Sequence, residues 1–521
     1  MRPAPIPASL PRWPRAAFPT DLVGATTRLR SHLEGRIEAD GAVRSPCHSR
    51  VLESALLMAL LDRTGLEPDA RARLADYLAT HRDSPRRLDR LLARAALGGP
   101  TAASLVPLDV ADFLAHAPDF TSARKHALLH AVLLLLGAAP TTGFPDPDAF
   151  SPHGLHAWAR VQVTAVKAIL AHAYGRSAAI SEDDLALLRS TQHPGTLWEG
   201  NLLIHLSVLH ALAPLPGQHR MVADGIRTAL AHQRPDGGIP FISDEDTWVT
   251  ATAAVALHTA GAPRAAMDTV AQRLLRLQHP GGWSYTERAQ LADVDCTSAA
   301  LEALHLADPD THRTAIRRAI DHLTALQAPD GGFPTYLAGA PSEACMTAAA
   351  ANALSTQGPI RRHALDAALD HLASQQRPDG SFAPDWSSSR HHTVFRATLA
   401  AAHHPGPPDS PARRIIRRAT QLALNSQNSD GGWGQQDGDA SDALSTAYAL
   451  ITLTGHPAPA PAARGTAYLL TQQRPDGSIS SIPDSIGPRP FGFSVPALAD
   501  VFTLLALGHL DHRLTPAPLT A

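Results

Sequence analysis

Apolar side chains in this chain fall at three- and four-residue spacing. The stretches SRVLESALLMALLD at Ser49, RKHALLHAVLLLLG at Arg124, AAMDTVAQRLLRLQ at Ala265 and IRRAIDHLTALQ at Ile316 each place them on one stripe of a helix. From Gln233 onward such stretches end in a recurring block. It reads QRPDGGIPF at Gln233, QHPGGWSY at Gln278, QAPDGGFPTY at Gln327, QRPDGSFAPDW at Gln376, QNSDGGWGQ at Gln427 and QRPDGSIS at Gln473. The spacings are 45, 49, 49, 51 and 46 residues, a near-constant period that marks a repeat architecture. In each copy proline and glycine stop one helix, because proline cannot continue it and glycine supplies the positive φ. A second helix then starts near a Thr or Ser and runs through small residues, as in TSAALEALHLA and TAAAANAL. One repeat is therefore a helical hairpin. Six hairpins predict a closed α/α barrel, with Ala-rich inner helices around a cavity and outer helices richer in Leu and Arg.

The first part of the chain, about 20–205, is also helical in pattern but lacks a clean PDGG block. With 521 residues the chain exceeds what one core usually holds, so two domains are expected. A net charge of −3 argues against a nucleic-acid partner. Positive charge is almost all arginine; the only lysines are Lys125 and Lys167. Three cysteines, Cys47, Cys296 and Cys345, do not make a disulfide framework. The apolar run Ala127–Leu136 is about half of the roughly 20 residues needed to span a bilayer, and Met1–Phe18 lacks the apolar segment of a signal peptide. A cytoplasmic protein follows, with peripheral membrane contact left open for a greasy substrate.

The Gln-x-Pro-Asp-Gly-(Gly/Ser)-(aromatic) block resembles the QW-type repeat of squalene–hopene cyclases, oxidosqualene cyclases and class II diterpene cyclases, over roughly residues 225–480. Asp293-Val294-Asp295-Cys296-Thr297 stands where these cyclases keep an Asp-x-Asp-Asp-Thr acid motif. The resemblance implies an all-α double α/α barrel, the βγ didomain of bacterial class II diterpene and sesquiterpene cyclases. Its β domain would be 1–19 plus 206–521 and its inserted γ domain 20–205. It also makes Asp295 the proton donor to the terminal alkene of a linear farnesyl or geranylgeranyl diphosphate, giving a bicyclic product that keeps its diphosphate. Cys296 departs from the motif and resembles the Asp-Cys-Thr stretch of oxidosqualene cyclases. Cys345, one repeat later, aligns with Asp295 when Thr297 and Thr347 are matched. Asp293, Asp295, Cys296, Thr297 and Cys345 are thus the expected catalytic set, and a squalene or epoxide substrate is the alternative.

Alkene protonation requires an acid kept protonated by burial, and a cavity whose aromatic faces stabilise the moving cation. Trp283, Tyr285, Phe333, Tyr336 and Trp386 follow repeat turns and are the expected lining. His391, His392 or an ordered water are candidates for the final base. A diphosphate substrate brings Mg²⁺ as the expected cofactor, with Glu199 in Trp198-Glu199-Gly200-Asn201 as its candidate ligand. No organic cofactor and no obligate protein partner are expected, for a monomer or homodimer. Asp and Thr also cap helices without any chemistry, and aromatics after PDGG also pack between repeats. A zinc prenyltransferase β subunit or a helical scaffold would share the barrel.

Overall fold

The computed structural model describes residues 12–98, 114, 118–138, 144–356, 362–404, 406–457 and 459–515. Among them regular structure is helical, with only isolated β-bridges beside the helices. They divide into two compact units. One comprises Met1–Ser45, Glu245–Ile486 and Val495–Ala521; the other comprises Pro46–Asp244 and Gly487–Ser494.

The first unit is the repeat barrel. Its inner helices are α10 (Asp246–Thr259), α12 (Val294–Ala307), α14 (Ala344–Ser355), α16 (His392–Ala402), α18 (Ala443–Leu453) and α20 (Ala497–Arg513). Each packs on the next, and α20 packs back on α10, so the ring closes. The outer helices are α1 (Leu22–Glu34), α11 (Arg264–Leu277), α13 (Arg313–Leu326), α15 (Arg362–Gln375), α17 (Pro411–Asn425) and α19 (Ala460–Thr471).

The repeat block is the clasp between neighbouring hairpins. Gln427 Nε2 donates to the Gly431 carbonyl of its own turn (2.7 Å) and to the Pro461 carbonyl in the first turn of α19 (2.9 Å). Gln327 does the same with Gly331 (2.9 Å) and Ala364 of α15 (2.8 Å). Gln473 bonds Gly477 (3.1 Å) and Ala25 of α1 (3.0 Å), which carries the last repeat onto the first outer helix. Gly477, at φ +90°, sits so close to that helix that a Cβ would meet the Arg28 carbonyl at 2.8 Å. Each buried bond of this kind contributes about 1 kcal/mol net.

These contacts move the expected domain boundaries from 19/20 and 205/206 to 45/46 and 244/245. Helix α1 completes the outer ring of the barrel, while α8 (Leu202–Leu212) and α9 (His219–Leu230) belong to the second unit. Residues 1–11 lie outside the described residues.

The second unit also holds α2 (Val51–Thr64), α3 (Pro68–His81), α4 (Arg87–Ala96), α5 (Ser122–Leu135), α6 (Ala157–Ala173) and α7 (Glu182–Arg189). Helix α8 is buried on all sides, and α2 and α6 nearly so; α2 and α6 both pack on it. The first block works here as in the barrel: Gln233 Nε2 reaches the Gly237 carbonyl (2.8 Å) and the Ala70 carbonyl of α3 (3.3 Å). No described helix is long and apolar enough to cross a membrane.

Candidate active site

Helix α12 starts where the chain leaves the Trp283 turn. The Asp293 N–H donates to the Trp283 carbonyl (3.0 Å), and the Thr297 hydroxyl accepts the Trp283 N–H (3.1 Å). Asp293 has extended backbone and caps the helix, its carboxylate accepting the Cys296 N–H at 2.7 Å. Burial pushes its carboxyl up to about 7; the Cys296 bonds oppose this and the charge of Asp295 adds to it.

Asp295, in the first turn of α12, has a different outlook. Asp295 and Glu302, two turns apart, are the half-buried positions between Val294 and Leu304, and Ala299, buried at 9%, lies between them on the same face. Neighbouring inner helices show the same pattern at Trp248, Thr252 and Val255 of α10 and at Ala349 and Asn352 of α14. Asp295 Oδ1 accepts a hydrogen bond from Arg396 Nη1 at 2.7 Å, across 101 residues. Burial opposes the Arg396 charge, but Asp295, with Cys345 and Asp385 behind it, outweighs burial and raises the guanidinium pKa. Arg396 therefore stays charged.

The other expected members divide. Cys296 and Cys345 are both buried, and burial first, then nearby carboxylates, raises both thiols well above the usual range. Cys296 faces Asp293, while Cys345 lies in the field of Asp385, Glu343, Arg396 and Asp295. They are neutral neighbours of the acids. Thr297 is a turn clamp: Thr347 and Thr446 accept the Phe333 and Trp433 N–H groups in the same way, at 2.9 and 3.0 Å.

Trp283 and Phe333 do not line the cavity. Both are fully buried, and the Trp283 indole donates to the Leu274 carbonyl of the outer helix α11 (2.8 Å). The aromatic after PDGG thus wedges inner helix against outer. Tyr336 and Trp386 meet edge to face at 6.4 Å, both partly exposed, and Tyr285 keeps 9% exposure.

His391 turns outward, its Nε2 in hydrogen-bond contact with the Ser426 hydroxyl (3.3 Å), and burial, then Arg390, presses its pKa down to about 3. His392 turns the other way. Its Nδ1 meets Asp385 at 3.0 Å, and its ring lies 5.4 Å from Tyr448 and 5.9 Å from Phe395. Burial works to raise the Asp385 pKa, but His392 and the Thr393 hydroxyl bring it below the ordinary value.

Sequence reasoning missed Arg396, Tyr448, Phe395, Phe502, Trp248 and Glu302. Arg396 is a lone charge inside the apolar helix HTVFRATLAAA, and that isolation was the available signal. Tyr448 stacks on Phe395 at 4.9 Å, and Phe502 closes on Tyr448 (5.1 Å) and Trp248 (6.1 Å). Glu302, two turns below Asp295, accepts a bond from Asn352 Nδ2 (3.1 Å), and burial pushes it up to about 7 in spite of Arg396.

In the second unit, Glu199 sits at positive φ (54°) and accepts the Trp158 indole N–H at 2.7 Å. Among the described residues no group of three or more His, Cys, Asp or Glu could hold a metal ion. A metal cage built by protein alone does not fit there. Mg²⁺ usually keeps waters and takes one or two carboxylates together with substrate phosphates, and Glu199 offers one carboxylate to such an ion.

The profile of the squalene–hopene cyclase C-terminal domain matches residues 245–512, which is the barrel. A drimenyl diphosphate synthase of Streptomyces showdoensis is 40% identical over 97% of this chain and 98% of its own length. The chain belongs to the class II terpene cyclases. A second drimenyl diphosphate synthase, from Streptantibioticus cattleyicolor, is 40% identical over 92% of this chain and 93% of its own. The ent-copalyl diphosphate synthase of Streptomyces platensis superposes with a TM-score of 0.59 at 20% identity, covering 95% of this chain and all of that one, a likeness of fold. In this cyclase family the chemistry is protonation-initiated ring closure, and the Asp295–Arg396 face of the barrel is the part of the geometry that can serve it.

Proposed function

We propose that this cyclase converts a linear prenyl diphosphate to a bicyclic diphosphate, with Asp295 as the acid. Farnesyl diphosphate is the preferred substrate, since both close relatives are drimenyl diphosphate synthases; geranylgeranyl diphosphate is the other. The observation that carries the residue assignment is the Asp295–Arg396 pair on the half-buried face of α12. Asp295 adds its proton to the less substituted carbon of the terminal alkene, leaving a tertiary cation. The next two double bonds attack in turn, so two C–C bonds form at the expense of π bonds. The last cation loses a proton, and the C–O bond to the diphosphate is untouched. One proton enters and one leaves, so the reaction is an isomerisation.

Arg396 stabilises the carboxylate that remains on Asp295. Trp248 and Tyr285 keep 9% exposure and Tyr336 and Trp386 more, and each such aromatic face is worth roughly 0.5–2 kcal/mol to a desolvated cation. His392, oriented by Asp385, is the better placed of the two candidate bases, because His391 is turned toward α17. Mg²⁺ would enter with the diphosphate and neutralise its charge, with Glu199 as a single carboxylate ligand.

The test is incubation of the purified protein with Mg²⁺ and, separately, farnesyl diphosphate, geranylgeranyl diphosphate, squalene and oxidosqualene, beside Asp295→Asn. Extracts are analysed before and after phosphatase. A cyclic product released only by phosphatase and absent with Asp295→Asn is expected. Cyclisation of squalene or its epoxide alone would move the substrate to the triterpene class.

A further inference from the structure

The threonine that clamps each turn aligns the inner helices of the barrel. Thr250, Thr297, Thr347 and Thr446 accept the backbone N–H groups of Val43, Trp283, Phe333 and Trp433, at 2.9 to 3.1 Å. Five residues beyond the clamp, α10 has Val255, α12 has Glu302, α14 has Asn352 and α18 has Ile451. Val255 and Ile451 are buried, so an apolar side chain satisfies the fold at this level. The two polar exceptions stand on helices that pack on one another, and they meet: Asn352 Nδ2 donates to the Glu302 carboxylate at 3.1 Å. The same helix α12 carries Asp295 two residues before its clamp, where α10 has Trp248 and α18 has Leu444. A second carboxyl therefore appears on the helix that bears the first.

Asp295 and Glu302 share one face of α12, two turns apart and both half-buried. The helix rises about 10 Å between them. Side chains lean toward the N-terminus of a helix, so Glu302 extends toward Asp295. What separates them is a few hydrogen-bond steps of about 2.8 Å each. Three residues further along this face, His305 is half-buried in the last turn of α12. Burial pushes Glu302 up to about 7, against the opposing pull of Arg396 and the Asn352 bond. Near neutral pH it is therefore protonated in about half of the molecules. Asn352 suits both states of this acid. Its Nδ2 donates to the carboxylate; its Oδ1, buried and without a hydrogen-bond partner, accepts from the protonated form after a half-turn of the amide. A buried carboxyl costs free energy that Ile451 does not, and a proton-carrying role accounts for its presence.

The reaction creates the need for such a group. Each cyclisation takes a proton from Asp295 and gives one up elsewhere, so the acid ends as a carboxylate bonded to Arg396 at 2.7 Å. It must regain a proton before the next turnover, and the Arg396 charge opposes that step. We infer that Glu302, oriented by Asn352, reloads Asp295 with a proton after each cyclisation. The O–H bond of Glu302 breaks, the proton passes along hydrogen-bonded groups to the Asp295 carboxylate, and Glu302 takes another from solvent by way of the His305 end of α12. The proton lost by the product returns to solvent, so the count closes. In this role Glu302 acts through Asp295 without touching the substrate. The inference rests on the function proposed above.

The experiment separates the first turnover from later ones. Full-length enzyme is mixed rapidly with the prenyl diphosphate that the wild type cyclises, and product is counted per active site for the wild type, Glu302→Gln, Glu302→Asp and Asp295→Asn. Gln keeps an acceptor for Asn352 but has no proton to give. Glu302→Gln should form its first equivalent of product at about the wild-type rate and then turn over about tenfold or more slowly, a burst that the wild type lacks. Glu302→Asp restores a carboxyl and should recover part of the steady rate. A merely structural residue cannot divide the first turnover from the second, so equal slowing of both, or an unchanged kcat, would overturn the inference. A product with its double bond moved and no burst would make Glu302 the final base and would overturn it as well. First-turnover product from Asp295→Asn would sink the acid assignment, and this inference with it. A burst in Glu302→Gln beside an inactive Asp295→Asn upholds both.

Discussion

The second and fifth repeats of the barrel build the same turn twice, with one difference. In the second, Asp293 caps α12, donates its N–H to the Trp283 carbonyl (3.0 Å) and accepts from Cys296 N–H (2.7 Å). In the fifth, Asp442 caps α18, donates to the Trp433 carbonyl (2.9 Å) and accepts from Ser445 N–H (2.8 Å). Burial pushes both carboxyls up, Asp293 to about 7 and Asp442 to about 6. The raised pKa of Asp293 is therefore a property of the repeat and does not by itself mark a catalyst. What the second turn adds comes two residues later: Asp295 stands where the fifth has Leu444, and Arg396 is there to meet it. On the proposed function, the difference separates a capping acid from the reacting one.

The largest expected effect breaks the comparison at that position. Asp295→Asn keeps the size and a hydrogen-bonding side chain opposite Arg396 but removes the transferable proton. Turnover should fall by about 10³-fold or more, and stability should fall as well, on the order of 3 kcal/mol, because Arg396 is left without its charged partner. If Asp293→Asn were equally damaging and Asp295→Asn mild, the acid would be Asp293. Next in size is Arg396→Gln, which leaves a largely buried carboxylate without its charged partner. A stability loss on the order of 3 kcal/mol and a fall in kcat of about 10- to 100-fold are expected from denaturant melts and steady-state rates. Replacing it with Lys should recover part of the rate, because charge returns without the planar fork.

A third experiment uses pH to sharpen the likeness of the two caps. Both carboxyls bind a proton more tightly in the folded chain than in the unfolded one, so their contribution to stability is present below about pH 4. It is lost as pH rises through about 6 for Asp442 and about 7 for Asp293. Asn caps a helix as well as Asp does and carries no charge. Asp442→Asn should therefore flatten the decline in stability between about pH 4 and 7, gain at most about 3 kcal/mol at pH 8, and leave turnover unchanged. Asp293→Asn should flatten the same curve but also slow turnover, because its charge is coupled to Asp295. Equal turnover in the two variants would place Asp293 outside the chemistry.

The repeat made the barrel legible in the sequence, because Gln, Pro, Gly and Thr each have a local duty that spacing reveals. Asp295 was legible because it breaks the repeat at one copy. Arg396 was not, since the partner of an acid is fixed by which helices meet, and α12 and α16 are brought together only when the ring closes. Trp283 and Phe333 misled because position after the turn does not say whether a ring faces inward or outward; the indole N–H reaching Leu274 decides it. The domain limits were misplaced for a related reason: α1 has no PDGG block and joins the barrel by receiving Gln473 from the far end of the chain.

The smallest effect concerns the clamp the two turns share. Thr297→Val and Thr446→Val are close to isosteric, and each removes the acceptor for a buried indole-bearing residue's N–H, Trp283 in one turn and Trp433 in the other. An orphaned buried N–H costs about 1–3 kcal/mol. Both variants should lose stability in that range and by similar amounts, since both hydroxyls are fully buried. Turnover gives the contrast. If Thr297 only holds the turn, Thr297→Val should slow the enzyme little more than Thr446→Val at temperatures where both are folded. A fall of more than about tenfold in Thr297→Val alone would show that its hydroxyl reaches the acid after all, and would restore it to the catalytic set that the sequence first suggested.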